Sequence, residues 1–412
     1  MKKVRKIFIY IINSNPTLRI LFQNAIAYLQ KTKYKILYYN KNQIDDKIII
    51  FEAYQGRQWS CSPKALYEAV INDTVYCEYT KVICFRKPEK YIELAENDKT
   101  ILVKFRSKDY YRYYATAKYW ISNSNLPMEI IKKIEQLYIQ TWHGTPLKKI
   151  GCDLKINDRP DTSLVQIHKK YIFEGKKADI FLSPSPFYTE KIRSAFLIPN
   201  GKIGELGYPR NDSLYNINDE NLNELKRKIG IKEDKKVILY APTWRDNQFK
   251  LTLGSTYDIE MNFDLLADRL KDTHVILFRA HYLIANNFDF NKHKGFVIDV
   301  SNVDDINELY SISDTLITDY SSVFFDYANL KRPIIFYMYD YESYKNQIRD
   351  FYIDISELPG HIVYNMEELL EELLSVVQNN IDSFEMFNNK YNPYSKPCSK
   401  AIIDKYIGGN ML

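Results

Sequence analysis

Through residues 236–337, short apolar runs alternate with amphipathic stretches of about ten residues, a rhythm that predicts strand, helix and strand in turn. Runs at 236–240, 275–278, 296–300, 315–318 and 333–337 are rich in Val, Ile, Leu and Phe, as buried strands are. Helical spacing marks 263–271, 304–312 and 321–330. At 366–377 apolar residues recur at 366, 369, 370, 373, 374 and 377, and Asn365 with Glu368 offers a capping box. Continuous apolar strands separated by helices predict a parallel sheet covered on both faces, hence a Rossmann-like unit.

The first half is less regular. Strands are predicted at 35–39, 47–51, 81–85, 100–105, 119–123, 137–142 and 180–183, with a helix at 63–71. A second α/β unit is the economical reading. Gly201, Gly204, Gly207 and Pro209 cluster before a polar stretch reaching Glu220, which places the join there. The expected division is 1–210 and 211–412. No internal repeat or low-complexity tail interrupts it.

Composition narrows the class. At 412 residues the chain has room for two or three domains of about 150 residues, and 45% hydrophobic with 26% charged residues excludes wholesale disorder. Cys61, Cys77, Cys84, Cys152 and Cys398 form no C-x-x-C pair, against a disulfide framework or a zinc site. Lysines and Arg5 in residues 2–6 precede an apolar run at 7–12, but that run is only six residues and no small-residue cleavage site follows. No stretch reaches the ~18 apolar residues of a membrane span, so a cytoplasmic protein is expected.

The net charge of +5 conceals an asymmetry. Residues 1–210 carry 36 Lys+Arg against 20 Asp+Glu, and residues 211–412 carry 21 against 32. Such a basic half is either a set of solvated faces or a surface for an anionic membrane leaflet or nucleic acid. Basic clusters lie at 2–6, 31–35, 86–90 and 169–177.

Chemistry concentrates at strand ends, where open α/β sheets bind ligands. The segment Q-T-W-H-G-T-P-L-K-K (140–149) puts His143 beyond a strand, with Pro146 near the start of a predicted helix. A neutral histidine there serves as a general base or satisfies a helix N-terminus. In T-D-Y-S-S-V-F-F-D (318–326), Ser321 and Ser322 open a predicted helix and make either an anion site or a plain N-cap, with Asp326 one turn on to accept a hydroxyl. A-P-T-W-R-D (241–246) supplies Pro242 and Thr243, R-A-H (279–281) supplies Arg279 and His281, and G-Y-P-R-N-D (207–212) supplies Arg210. One cleft gathering these groups would suit a pyrophosphate and a transferred phosphoryl group.

In order and spacing these five segments resemble the CDP-glycerol glycerophosphotransferase family of teichoic acid and capsule-type polymer synthesis. F-E-A-Y-Q-G (51–56) with S-P (62–63), and A-K-Y-W-I-S-N (117–123), are similar to it too, so the resemblance spans roughly 45–380. It implies a GT-B architecture, two Rossmann-like domains facing across a cleft, the second binding the nucleotide donor, without an obligate metal or cofactor. The implied reaction is attack by an acceptor hydroxyl on the phosphorus bearing glycerol, with release of CMP. Carried over by position, His143 and His281 would be catalytic, with His143 the base. His143, Gly144, Thr145, Pro146, Leu147, Arg210, Pro242, Thr243, Arg279, Ala280, His281, Ser321, Ser322 and Asp326 would bind the donor. The acceptor would be lipid-linked or a saccharide, reached peripherally on the inner face of the membrane. About 45 residues precede the first match, which resembles the short primase-type or capsule-type members rather than the large polymerases.

Two rivals remain open to the sequence. A GT-B glycosyltransferase using a nucleotide-sugar shares the fold and the phosphate site. A basic membrane adaptor or nucleic-acid binder explains the charge of the first half but leaves the histidines and paired serines idle, and no nucleic-acid-binding signature is present. CDP-glycerol and CDP-ribitol both remain compatible as donors.

Overall fold

A computed structural model describes residues 16–156, 162–243, 249–250, 254–256, 260–279, 284–285, 290–342, 351–375 and 381–408. Seven strands form the first sheet: β1 (Asp45–Glu52), β2 (Thr80–Phe85), β3 (Thr100–Lys104), β4 (Ala117–Ser122), β5 (Leu137–Gln140), β6 (Ile180–Ser183) and β7 (Ile203–Glu205). All pairings are parallel, in the order β3-β2-β1-β4-β5-β6-β7. The second sheet comprises β8 (Lys236–Ala241), β9 (His274–Phe278), β10 (Val297–Asp299), β11 (Thr315–Thr318), β12 (Ile334–Tyr337) and β13 (His361–Val363). It is also parallel, ordered β10-β9-β8-β11-β12-β13. Both sheets thus follow the doubly wound order 3-2-1-4-5-6, whose direction reverses between the first and fourth strands and opens a crevice there.

The strands are long apolar runs because both faces are covered. Ile49 and Phe51 of β1 pack into one core with Tyr67 and Val70 of α1 (Cys61–Ile71), while Ile48 and Ile50 pack on the other face with Tyr110 and Tyr114 of α2 (Lys108–Thr116). In the second unit Leu239 and Leu316 face a core with Phe324 and Phe325, and Ile238 and Ile317 face another with Leu266 and Leu369. Alternation of buried faces along each strand produces these four clusters.

Several expectations are corrected. Residues 35–39 are a π-helical turn continuing a helix over Pro16–Tyr34, where the rings of Tyr34 and Tyr38 pack against Tyr111 and no strand among the described residues pairs with them. The strand expected over 137–142 stops at Gln140, since Trp142 turns left-handed at φ 49°. No helix starts at Pro146; the next helical turn is Gly151–Asp153. The helix expected over 321–330 is a short one, α3 (Val323–Tyr327), continued by a 3-10 turn over Ala328–Leu330. Asn365 does cap Met366–Leu374 through Glu368 N (2.9 Å), but the Glu368 carboxylate accepts from Tyr364 N rather than from Asn365 N. Finally, the helix over Ser399–Tyr406, grouped with 211–412 by the sequence, packs on the first sheet, where Ile402 and Ile403 join Leu66 and Tyr67. Asp212 secures this return by accepting from Cys398 N (3.0 Å) and Ser399 N (2.8 Å).

Candidate active site

The carboxyl ends of the two sheets line opposite sides of a cavity of about 530 Å3. Its first wall follows β1 and β5: Tyr54, Arg57, Ser60, Cys61 and His143, joined by Lys90 and Tyr91. Its second wall follows β8, β9, β10 and β11: Pro242, Arg279, residues 301–306, Ser321 and Ser322. Arg210 and Asp326 lie between the walls.

His143 is fixed from behind. Its Nδ1 lies 2.6 Å from the backbone oxygen of Asn123, at the end of β4. A carbonyl only accepts, so Nδ1 carries a proton, and in the neutral form of the ring the basic lone pair is then on Nε2. Asn123 is fully buried and its side chain accepts from Tyr54 N (2.7 Å), so one residue ties the loops after β1, β4 and β5 together. Gln140 does the same from below, accepting from Trp142 N (2.9 Å) and donating to Glu174 (3.1 Å) and Tyr138 Oη (2.8 Å). Trp142 packs 4.2 Å from the His143 ring, centroid to centroid. Gly144 follows at φ 152°, a conformation that side chains rarely adopt, and a Cβ there would sit 3.2 Å from Ser322 Oγ, so the two walls approach closely at this point.

Arg210 and Asp326 form a buried ion pair, Nη2 to Oδ2 3.4 Å, and Arg210 Nη1 donates to the His143 carbonyl at 2.5 Å. Burial opposes the Arg210 charge, but Asp326 beside it more than compensates and holds the guanidinium cationic. Asn211 Nδ2 donates to the other Asp326 oxygen (2.8 Å). Asp326 is therefore engaged with two protein partners, whereas the sequence offered it as the acceptor for a substrate hydroxyl. Arg279 donates through Nη1 to Val303 O (2.7 Å) and Val300 O (3.2 Å), and burial lowers its pKa. Those bonds hold its head against the second wall, where it lines the cavity.

Not every expected residue reaches the cavity. Thr145 and Pro146 are buried and do not line the cavity, and Leu147 packs into the core of the second unit while its carbonyl accepts from Tyr352 N (2.8 Å). Thr243 is buried, with its N–H on Asp319 Oδ1 (2.7 Å). Ala280 and His281 lie outside the described residues. Sequence reasoning assigned no site role to Tyr54, Cys61, Asn123, Lys90, Tyr91 or Asp304. Asp304 accepts from Trp59 N (3.0 Å) and Tyr91 Oη (2.5 Å), and Lys64 pairs with Asp305 (3.0 Å), so this side of the cavity is clasped by both units. A strand-end position signalled Tyr54 and Asn123; nothing local signalled the clasp. Among the described residues no group of three or more His, Cys, Asp or Glu side chains could hold a metal ion.

Two doubly wound sheets, a cavity between their carboxyl ends, and an oriented histidine facing arginine and serine hydroxyls define a GT-B-like transferase. Comparison with known proteins makes the family specific. Residues 33–407 match the model of the CDP-glycerol:poly(glycerophosphate) glycerophosphotransferase family, and the chain belongs to that family. A teichoic acid poly(glycerol phosphate) polymerase of Staphylococcus epidermidis is 40% identical over 93% of this chain, which spans 53% of that relative's length. One of Bacillus spizizenii is 38% identical over 88% of this chain and 93% of its own. The solved structure of the wall teichoic acid polymerase TagF superposes with a TM-score of 0.84 at 36% identity, covering 96% of this chain and 97% of that one. A teichoic acid glycerol-phosphate primase of Bacillus subtilis (strain 168) is 29% identical over 87% of this chain and 87% of its own length, so polymerase-named and primase-named relatives both match.

Proposed function

We propose that the protein transfers glycerol phosphate from CDP-glycerol to a hydroxyl of a lipid-linked acceptor, releasing CMP, in teichoic acid or capsule-type polymer synthesis. The observation that carries this reading is His143, whose Nδ1–H is held by Asn123 so that Nε2 is the basic nitrogen, on the wall facing Arg279, Ser321 and Ser322. The acceptor oxygen attacks the phosphorus bearing glycerol as its proton passes to Nε2. The bond from that phosphorus to the bridging oxygen breaks, and CMP departs with the electron pair. Such transfer depends on positioning and charge neutralisation rather than covalent catalysis. Arg279 and the hydroxyls of Ser321 and Ser322 would neutralise the donor phosphates, with His281 as the expected second histidine. Arg210, spent on Asp326, would shape the site between the walls.

The acceptor places the enzyme at an anionic leaflet. Among the described residues no helix is long and apolar enough to cross a membrane. The helix Pro16–Tyr34 nevertheless leaves Phe22, Tyr28 and Leu29 exposed near Lys31 and Lys33, a pattern suited to the interface of an anionic bilayer. The cluster at 2–6, outside the described residues, would add to it. Nucleotide release from CDP-glycerol, CDP-ribitol and nucleotide-sugars, each with and without a lipid-linked acceptor, tests the reading. Acceptor-dependent CMP release from CDP-glycerol alone is expected; preferred release from a nucleotide-sugar would overturn it.

A further inference from the structure

The geometry points to Gln140 and Glu174 as positioning residues for the base: a buried pair outside the cavity that fixes the backbone from which His143 projects. The inference deepens the transfer reading above and rests on it for the role of His143. Three observations carry it.

The first is strain at the residue before the base. Trp142 is left-handed at φ 49°, a region that bulky side chains rarely occupy and that persists only where the surroundings enforce it. Its ring packs on the His143 ring (4.2 Å between centroids) and on Phe196 (4.8 Å). Its N–H donates to Gln140 Oε1 (2.9 Å), two residues back at the end of β5. That bond closes the turn by which the chain leaves the strand, and beyond it His143 Nδ1 meets the Asn123 carbonyl at 2.6 Å.

The second is direction. Only one orientation of the Gln140 amide satisfies its neighbours. Nε2 donates towards Glu174 Oε1 (3.1 Å), Tyr138 Oη (2.8 Å) and Ser124 O (3.2 Å), which leaves Oε1 for Trp142 N. Glu174 Oε1 also accepts from Tyr138 Oη (2.5 Å), and this turns a lone pair of the phenol towards Gln140. A reversed amide would set donor against donor at Trp142 and acceptor against acceptor at Glu174 and Ser124. Glu174 therefore decides which end of the amide meets the strained residue.

The third is placement. Gln140 and Glu174 are both buried, and neither lines the cavity. Glu174 belongs to the helix over Leu164–Lys177, whose last residue, Lys177, is buried as well and donates to Pro127 O (3.2 Å). Glu52, at the end of β1, is a further buried carboxyl beneath the same wall. Well-packed apolar side chains commonly replace such buried charged groups without loss of stability, so stability alone does not account for them. Orientation does: an apolar residue at 140 offers Trp142 N no acceptor, and one at 174 withdraws the acceptor that aligns the amide.

Three variants of the full chain test the assignment. Q140L removes the acceptor for Trp142 N. Q140E keeps it but sets two carboxyl groups against each other. The exchange Q140E/E174Q again leaves one amide facing one carboxylate. CMP release from CDP-glycerol with a lipid-linked acceptor gives kcat and KM, and calorimetry gives CDP affinity. NMR of nitrogen-labelled histidine, assigned with H143A, reads the tautomer of the His143 ring. Misplacing a reacting group by ~1 Å costs on the order of 100-fold, so kcat should fall about tenfold or more in Q140L and Q140E. KM and CDP affinity should stay within about twofold, and the ring should lose its uniform Nδ1–H form. The exchange should recover most of the kcat and the ring signal. A folded Q140L with kcat within about twofold of wild type would overturn the assignment. So would an exchange no more active than Q140E, a parallel loss of CDP affinity, or an unchanged ring tautomer in a variant that has lost activity. Should Q140L not fold, the comparison of Q140E with the exchange decides. Absence of CMP release by the wild-type protein would instead strike the transfer reading, and the ring signal alone would then show whether 140 and 174 hold the histidine.

Discussion

The two walls of the cavity come from sheets of identical strand order, yet they are built by different means. In the loops beyond the first sheet, Tyr54, Gln55, Gly56, Cys61, Trp142 and Gly144 all have positive φ. Among the described residues of the loops beyond the second sheet, none does. The first wall holds its groups by backbone strain locked with buried hydrogen bonds from Asn123 and Gln140. The second presents Arg279 from a strand end and Ser321 and Ser322 from the turn after β11, with ordinary backbone throughout. A doubly wound sheet supplies the crevice in either case. On the proposed function the contrast has a reason: a proton-transfer group needs a fixed geometry, whereas an anion tolerates small displacement of the cations around it.

Breaking the seam between the walls should have the largest effect. Arg210→Ala removes the partner of a buried carboxylate and leaves Asp326 with Asn211 alone. A loss of about 3–5 kcal/mol in stability is expected, read as the denaturant midpoint. A loss under about 1 kcal/mol would show that Asp326 finds water or protonates, and that the seam is not what joins the walls. Next comes the first wall itself: His143→Ala should lower transfer by a factor on the order of 100 or more while CDP affinity stays within a few-fold. Turnover near wild type would remove His143 from the base role.

How much of this contrast was legible in the sequence depends on range. The strands 180–183 and 315–318 were readable because they are short apolar runs bounded by polar residues. So were the strand-end segments carrying His143, Arg279 and Ser321, since crevice position follows from topology. The π-helical turn at Lys35–Tyr39 was not, because a run of two aliphatic and two aromatic residues after Lys35 suits a strand and a helical turn equally. Strain at Tyr54 and Trp142 leaves no trace in residue type, as neither is a glycine or asparagine. The pairing of Arg210 with Asp326, 116 positions apart, and the return of the Ser399–Tyr406 helix are long-range packing facts that no local pattern encodes.

The second wall is tested by Arg279→Ala, which should weaken CDP binding by roughly 2 kcal/mol, the scale of a charge-assisted hydrogen bond. Unchanged CDP affinity would move the donor phosphates away from Arg279. Because its bonds to the carbonyls of Val300 and Val303 also hold the loop before Asp304, the melting midpoint should be recorded alongside.

The smallest effect concerns a feature found beneath the first wall. Glu52, the last residue of β1, is fully buried and accepts from Tyr114 Oη (3.0 Å). Burial raises its pKa to about 7, with Glu174 adding to the rise and Tyr110, Tyr114 and Lys177 opposing it. In the unfolded chain the same carboxyl titrates near 4.5, so between those values the folded state holds a proton that the unfolded state has released. Stability from this group is complete below about 4.5 and is lost as pH rises through about 7. Glu52→Gln keeps the shape and does not titrate, so its stability should match wild type near pH 4.5 and exceed it above pH 7, by on the order of 1 kcal/mol once water entry around the ionised form is allowed for. The second wall serves as the internal control: CDP affinity of Glu52→Gln should not change with pH in a way that differs from wild type. A stability difference that is the same at pH 4.5 and pH 8 would mean that Glu52 is ionised in the fold throughout, and that the ground beneath the first wall is wetter than its packing implies.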